Sequence, residues 1–211
     1  MKDILSDLNW RYAVKKFDSE RMLSDAQIER LKSVFNLTAT SYGLQPIRLV
    51  TVQNKELQQQ LVKHSFEQLQ VAQASHVLIL CIENTIDSEY ISDYFDLVKK
   101  TRGTSEEILN PFKKMMIESF SNKSTDEIKE WSKNQAYLAM GTLLTVCALE
   151  KIDACPMEGF DPAAYDEQLG LKGKGISSVL VMPLGYRAED DVFADFKKVR
   201  KELDNSVIEI T

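Results

Sequence analysis

The spacing of apolar positions divides the chain into segments of different period. After the capping-box sequence Ser24-Asp25-Ala26-Gln27, the residues Ile28, Leu31, Val34 and Phe35 recur at helical intervals, predicting a helix to about residue 36. An earlier helix and a short basic turn precede it. Pro46 punctuates the chain, Ile47–Val52 reads as a strand, and 54 to about 66 reads as a polar-faced helix. His76–Ile82 is apolar throughout, as expected of a strand covered on both faces of a sheet. From about 87 to 121 the pattern is helical but broken by Gly103, Asn110 and Pro111, and its mixture of Lys, Asp and Tyr predicts an excursion outside the core. Ser124-Thr125-Asp126-Glu127 is a second capping box and opens the longest helix, apolar almost all round near its end. Ala139, Gly141 and Ala148 on that helix suit close approach of another helix, from this chain or a second copy. Asp161-Pro162 starts a short helix that Gly170 ends, and Ile176–Leu184 is a third strong strand. The polar arm that follows carries a basic segment, Phe196 to Lys201. It closes on the alternation Val207-Ile208-Glu209-Ile210, which predicts a last strand for this sheet or a partner's. Nothing divides the pattern, so 1–211 reads as one domain.

Composition narrows what such a chain does. With 44% hydrophobic and 27% charged residues it is an ordinary globular sequence, and a net charge of -6 argues against broad nucleic-acid or anionic-membrane surfaces. A local cation cluster around a small anion stays open. No apolar run approaches a bilayer's thickness, and acids interrupt the opening residues, so a cytoplasmic location is expected. The 3 cysteines, Cys81, Cys147 and Cys155, show no disulfide, redox or zinc spacing and are expected to be buried thiols. His64 and His76 lack any supporting metal or triad motif, and His76 is expected to be structural. Nucleophile-elbow, P-loop and dinucleotide fingerprints are missing, and Glu189-Asp190-Asp191 reads as a solvated acidic run. Two cation pairs remain, Arg11 with Lys15 and Lys198 with Arg200. Residues four apart in a helix, or alternating in an extended segment, share a face. On spacing alone ordinary surface charge is the simpler account, and something further has to join the two ends.

That something is a set of motifs in a fixed order: Arg11-Tyr12-Ala13-Val14-Lys15-Lys16-Phe17-Asp18, Gln45-Pro46, Ala74-Ser75-His76-Val77, Pro156-Met157-Glu158-Gly159-Phe160-Asp161 and Lys198-Val199-Arg200. Together they cover nearly the whole chain and resemble the FMN-dependent nitroreductases, in particular the oxygen-insensitive NAD(P)H nitroreductase and dihydropteridine reductase branch. The resemblance implies an α+β fold, a central mostly antiparallel sheet flanked by helices, in an intertwined homodimer with exchanged C-terminal strands.

It also implies roles for particular residues. Arg11, Lys198 and Arg200 would neutralise the FMN phosphate, with Tyr12 and Ala13 beside them, and Lys15 would lie at the N1/O2 edge of the flavin. Pro156, Met157, Glu158 and Gly159 would line the ring, the amides of Glu158 and Gly159 meeting N5 and O4. Ser41 to Gln45 would reach the flavin of the other subunit, and Glu67 and Gln70 would stand near the pyrimidine edge. Phe112, Met116, Ile117 and Phe120 are candidates for a gate over the substrate. The family's chemistry runs at flavin N5, taking hydride from NAD(P)H and passing electrons to nitroaromatic, quinone or pterin acceptors, with no catalytic side chain and no metal. Ala13 stands where the family has a hydroxyl residue, Gly43 and Glu67 where it has Asn, and Gln70 where some relatives have Lys. The departures at Ala13, Gly43 and Glu67 keep open a flavin-binding or sensing protein without turnover, and an interaction protein without cofactor stands as a third reading.

Overall fold

The computed structural model describes residues 3–211. Its centre is a four-stranded antiparallel sheet in the order β1-β2-β4-β3, made of β1 (Ile47–Val52), β2 (His76–Glu83), β3 (Asp153–Ala154) and β4 (Ile176–Gly185). Around it stand α1 (Ile4–Trp10), α2 (Asp25–Asn36), α3 (Lys55–Val62), α4 (Gln70–Gln73), α5 (Ser88–Arg102), α6 (Glu106–Ser121), α7 (Thr125–Leu149) and α8 (Pro162–Gln168). The α+β architecture and antiparallel sheet agree with the sequence expectation.

Strand period sorts the core. Leu78, Leu80 and Ile82 of β2 join Leu180, Met182 and Leu184 of β4 on one face, packed against α2 and α7. Val77, Ile79 and Cys81 turn the other way with Val181, towards Val14, Leu61, Tyr165 and Leu171. Both faces of β2 are therefore dry, as its unbroken apolar run requires. Both capping boxes form: the Ser24 and Ser124 side chains accept from the N–H groups of Gln27 and Glu127, whose side chains accept in return from the Ser24 and Ser124 backbones. On α7, Ala139 and Ala148 are buried within this chain, whereas Gly141 faces outward with open space around it.

The excursion is more than a polar detour. α5 and α6 make a helical pair with its own core of Leu44, Ile86, Ile91, Phe95, Met116 and Phe120. Gly103 does end α5, in the left-handed conformation, but Pro111 lies inside α6 without ending it. A proline there removes one intrahelical hydrogen bond; buried Met116 and Phe120 beyond it supply packing that keeps the helix continuous. Of the two pairings open to the tail, the one with this chain's own sheet does not form. Val207–Ile210 forms no strand in this chain, and Ile208 and Ile210 are about nine-tenths exposed, at 89% and 94%. Among the described residues no helix is long and apolar enough to cross a membrane.

Candidate anion and cofactor site

α1 stops at Trp10, so the basic motif that follows is extended chain. Ala13 bridges to Ala154, and Phe17 bridges to Arg187. Arg11 and Lys15 are therefore not the helical pair that their four-residue spacing suggests; because the helix ends before Arg11, they share a side by strand alternation instead. From the other end of the chain the arm after β4 folds back over this segment. The Lys198 ammonium donates to the Arg11 carbonyl, and one cavity of about 420 Å³ is lined by Arg11, Tyr12, Ala13 and Lys15 together with Phe196, Lys198 and Arg200. Burial and the neighbouring Arg200 lower the Arg11 pKa from the usual guanidinium value; burial, Arg11 and Arg200 lower that of Lys198. Cations that weaken each other's hold on a proton are stabilised by an anion placed among them.

Trp10 and Tyr12, which also line this cavity, are held by residues whose roles the sequence conceals. The Arg187 guanidinium lies 4.4 Å from the Trp10 ring centroid and 4.5 Å from that of Tyr12, and pairs with buried Asp153. Asp191 corrects the reading of the acidic run as solvated. It is 4% exposed, and its carboxylate accepts from the Tyr12 hydroxyl at 2.8 Å and the Lys15 N–H at 3.0 Å. Glu189 and Asp190 of that run stay exposed, Asp190 paired with Lys16.

The Pro156–Gly159 segment adjoins the same region through Cys155, whose sulfur lies 3.9 Å from the Lys15 ammonium and 4.0 Å from the Gln70 amide nitrogen. Met157 exchanges backbone hydrogen bonds with Val181 of β4 at 2.8 and 3.0 Å, which fixes the turn to the sheet. Beyond that anchor, the N–H groups of Glu158 and Gly159 donate to no partner among the described residues. Gln68 donates to the Gly159 carbonyl at 2.7 Å, and a Cβ at Gly159 would come within 2.9 Å of that amide, so the Gln68 side chain would have to shift. The Tyr137 hydroxyl, from α7, donates to the Glu158 carboxylate at 2.8 Å. Glu67 is exposed with φ +60, next to Phe66 at φ +52. Phe66, 65% exposed beside Gly159, is a candidate missed in the sequence, where a solitary aromatic after a polar helix carries no signal.

Ser41 and Gln45 sit elsewhere in this chain. The Ser41 N–H donates to Gln135 of α7 at 2.8 Å, and Gln45 lines a second cavity of about 620 Å³ beside β1 and α5. The gate candidates lie with that loop: Met116 and Phe120 point into the core of the helical pair, Ile117 is partly buried, and Phe112 is 43% exposed. The three thiols are buried, and burial pushes Cys81 and Cys147 up to about 12.

The fold and this pocket define an α+β protein whose chain ends build a cationic cradle next to unpaired backbone donors. The model of the nitroreductase family matches residues 8–186, and the chain belongs to that family. A Staphylococcus epidermidis protein provisionally named an NAD(P)H nitroreductase is 33% identical over 97% of this chain and 95% of its own length. The oxygen-insensitive NAD(P)H nitroreductase of Salmonella typhimurium is 26% identical over 99% and 100% of the two chains. A solved Exiguobacterium sibiricum structure, a candidate nitroreductase in complex with FMN, superposes with a TM-score of 0.82 at 17% identity, covering 100% of this chain and 98% of that one.

Proposed function

We propose that this chain is an FMN-dependent NAD(P)H oxidoreductase of the cytoplasm, acting as a homodimer. The observation that carries the reading is the convergence of Arg11, Lys198 and Arg200, from opposite ends of the sequence, on one cavity. Guanidinium and ammonium groups at that spacing fit a phosphate, which accepts bidentate contacts and removes their mutual repulsion. The unpaired N–H groups of Glu158 and Gly159 fit the N5 and O4 edge of an isoalloxazine, and Lys15, with its neighbour Gln70, fits the pyrimidine edge. When bound, FMN supplies hydride chemistry at N5, between NAD(P)H and a nitroaromatic, quinone or pterin-type acceptor in a ping-pong cycle.

The residues of the chain then bind and orient rather than react. Arg11, Lys198 and Arg200 hold the phosphate, with Tyr12 and Ala13 beside it. Lys15 places positive charge where the reduced flavin gathers negative charge. Pro156 and Met157 fix the turn that carries the two donors, and Gly159 lets the backbone approach the ring. Glu67, exposed in its left-handed turn, borders the pyrimidine side. The α6 roof is assigned to Phe112 and Ile117, with Met116 and Phe120 holding it from within.

The dimer reading rests on open surfaces. β1 is paired on one side only, the tail that alternates at Val207–Ile210 is exposed, and Leu138 and Gly141 of α7 face outward. A second copy's tail added to β1 would bury both, and it would bring Ser41–Gln45 to the partner's flavin.

An absorbance spectrum followed by anaerobic titration tests the reading. The protein is expected to be yellow, to bleach with NADH or NADPH, and to recolour on adding a quinone or nitroaromatic. Bound FMN that no nicotinamide bleaches would leave the non-catalytic binder, the reading favoured by Ala13 in place of a hydroxyl residue. A colourless protein with no FMN affinity would refute both.

A further inference from the structure

Asp191 is a buried carboxylate that the proposed chemistry does not use, and it stands where the two halves of the cationic pocket meet. One of its oxygens accepts from the Tyr12 hydroxyl at 2.8 Å and the N–H groups of Lys15 and Lys16 at 3.0 and 3.2 Å. The other accepts from the N–H of Phe193 at 3.2 Å. The first three donors belong to the extended segment that carries Arg11 and Lys15; the fourth opens the arm that carries Lys198 and Arg200. No ion pair reaches Asp191 among the described residues. Burial alone would raise its pKa, but the hydrogen bonds outweigh that and hold it below the usual aspartate value.

The arm beyond it has little else to define its course. No residue from 192 to 211 is buried, so Asp191 is the last core-anchored position before the chain crosses to the pocket. A short 3-10 turn, Val192–Asp195, starts on its side chain as N-cap. With a few polar contacts in place of apolar packing, the arm's direction depends on the carboxylate that begins it.

We propose that Asp191 is a positioning residue for phosphate recognition, clamping the N-terminal basic segment to the C-terminal arm so that Arg11, Lys198 and Arg200 face one anion. The inference rests on the FMN reading. It separates two properties that a general loss of structure would move together, affinity for the phosphate and affinity for the ring. Four donors surround the carboxylate, so Asp191→Asn necessarily sets its amide N–H2 against at least one of them, and Asp191→Ala leaves all four unpaired.

Flavin fluorescence quenching tests this in the full chain, with FMN and with riboflavin, which lacks the phosphate. The wild type is expected to prefer FMN. Asp191→Ala is expected to weaken FMN binding about tenfold or more and riboflavin binding by clearly less, the residual loss reflecting the Lys15 N–H that Asp191 also holds, with Asp191→Asn intermediate. Tyr12→Phe, which removes a single donor and keeps the ring, should shift the FMN-to-riboflavin ratio in the same direction by less, and keeps the test alive if the alanine variant does not fold. An unchanged ratio in Asp191→Asn and Tyr12→Phe overturns the inference, as does equal loss of both ligands. A wild type with no preference for FMN refutes the phosphate-site reading itself, a result distinguishable from failure of the clamp.

Discussion

Gly43 is set by its neighbour as much as by its backbone. Its φ is +74, and a Cβ there would lie 2.5 Å from the Tyr94 hydroxyl and 3.2 Å from the ring carbon that bears it. Tyr94 thus occupies the space that an Asn side chain would need at this position. Tyr42 and Gln45 are also left-handed, at φ 58 and 51, in a loop that Tyr90 fastens by donating to the Leu44 and Gln45 carbonyls. Gly43→Ala is therefore expected to destabilise the fold by about 1–3 kcal/mol, read as a lower denaturation midpoint. In a Tyr94→Phe background the same change should cost less, because the closest clash has gone; equal costs in a double-mutant cycle would show that backbone conformation alone sets the penalty. His76 offers a second test. It is 4% exposed beside the Ser75 hydroxyl at 2.9 Å, and burial followed by nearby Lys55 lowers its pKa from 6.5. The unfolded chain then binds this proton more readily than the native one, so stability is retained above pH 6.5 and falls as the pH drops from there towards the native pKa. Urea midpoints from about pH 8 to about pH 5 should show that slope, and His76→Gln should flatten it. A structural histidine was legible at this position. Asp191 was not, because its two acidic neighbours give the run the signature of a solvated face and only the returning arm buries one of the three.

Among elements, those with strong local signals form where the pattern places them. β1 has the same limits in sequence and structure, both capping boxes close, and Asp161 caps α8 by accepting from the Ala164 N–H. Hydrophobic period and caps are short-range properties, so they survive without knowledge of the partner surface. The α5–α6 pair was harder to read, since Leu44 and Ile86 lie outside the two helices and complete a core that neither helix pattern shows alone. Pro111 misled for a related reason: its helix penalty is local, and the packing that outweighs it is not. The tail poses the same problem between molecules. Its alternation at Val207–Ile210 specifies a strand, but the edge it would pair with does not come from its own course in this chain. Removing residues 207–211 is expected to leave the thermal midpoint of the body almost unchanged at low concentration while shifting sedimentation from dimer to monomer. A variant that still sediments like the full chain would place the dimer contact on α7 instead.

At the scale of the whole molecule, a chain of net charge -6 keeps a cluster of cations beside its two termini, and this opposition has a measurable consequence. The field of the protein as a whole repels a phosphate dianion, while Arg11, Lys198 and Arg200 attract it at short range. Nothing in the spacing of either pair declares that residues nearly 190 positions apart, as Arg11 and Lys198 are, share one cavity. That juxtaposition was readable only through the order of motifs along the entire sequence, because a basic pair by itself is indistinguishable from a solvated surface. Raising the salt concentration from about 0.1 M to about 1 M contracts the screening length from about 10 Å to about 3 Å. Long-range repulsion is lost first and contact attraction later, so FMN affinity should hold or rise slightly with the first additions of salt, then fall as phosphate contacts are screened. Arg11→Ala with Arg200→Ala removes two guanidinium contacts and should weaken FMN binding by about a hundredfold or more. It should also make the late fall much shallower, because Lys198 alone of the three phosphate cations remains to be screened. A double variant that keeps the wild-type salt profile would mean that the phosphate lies outside this pocket, whatever the flavin chemistry proves to be.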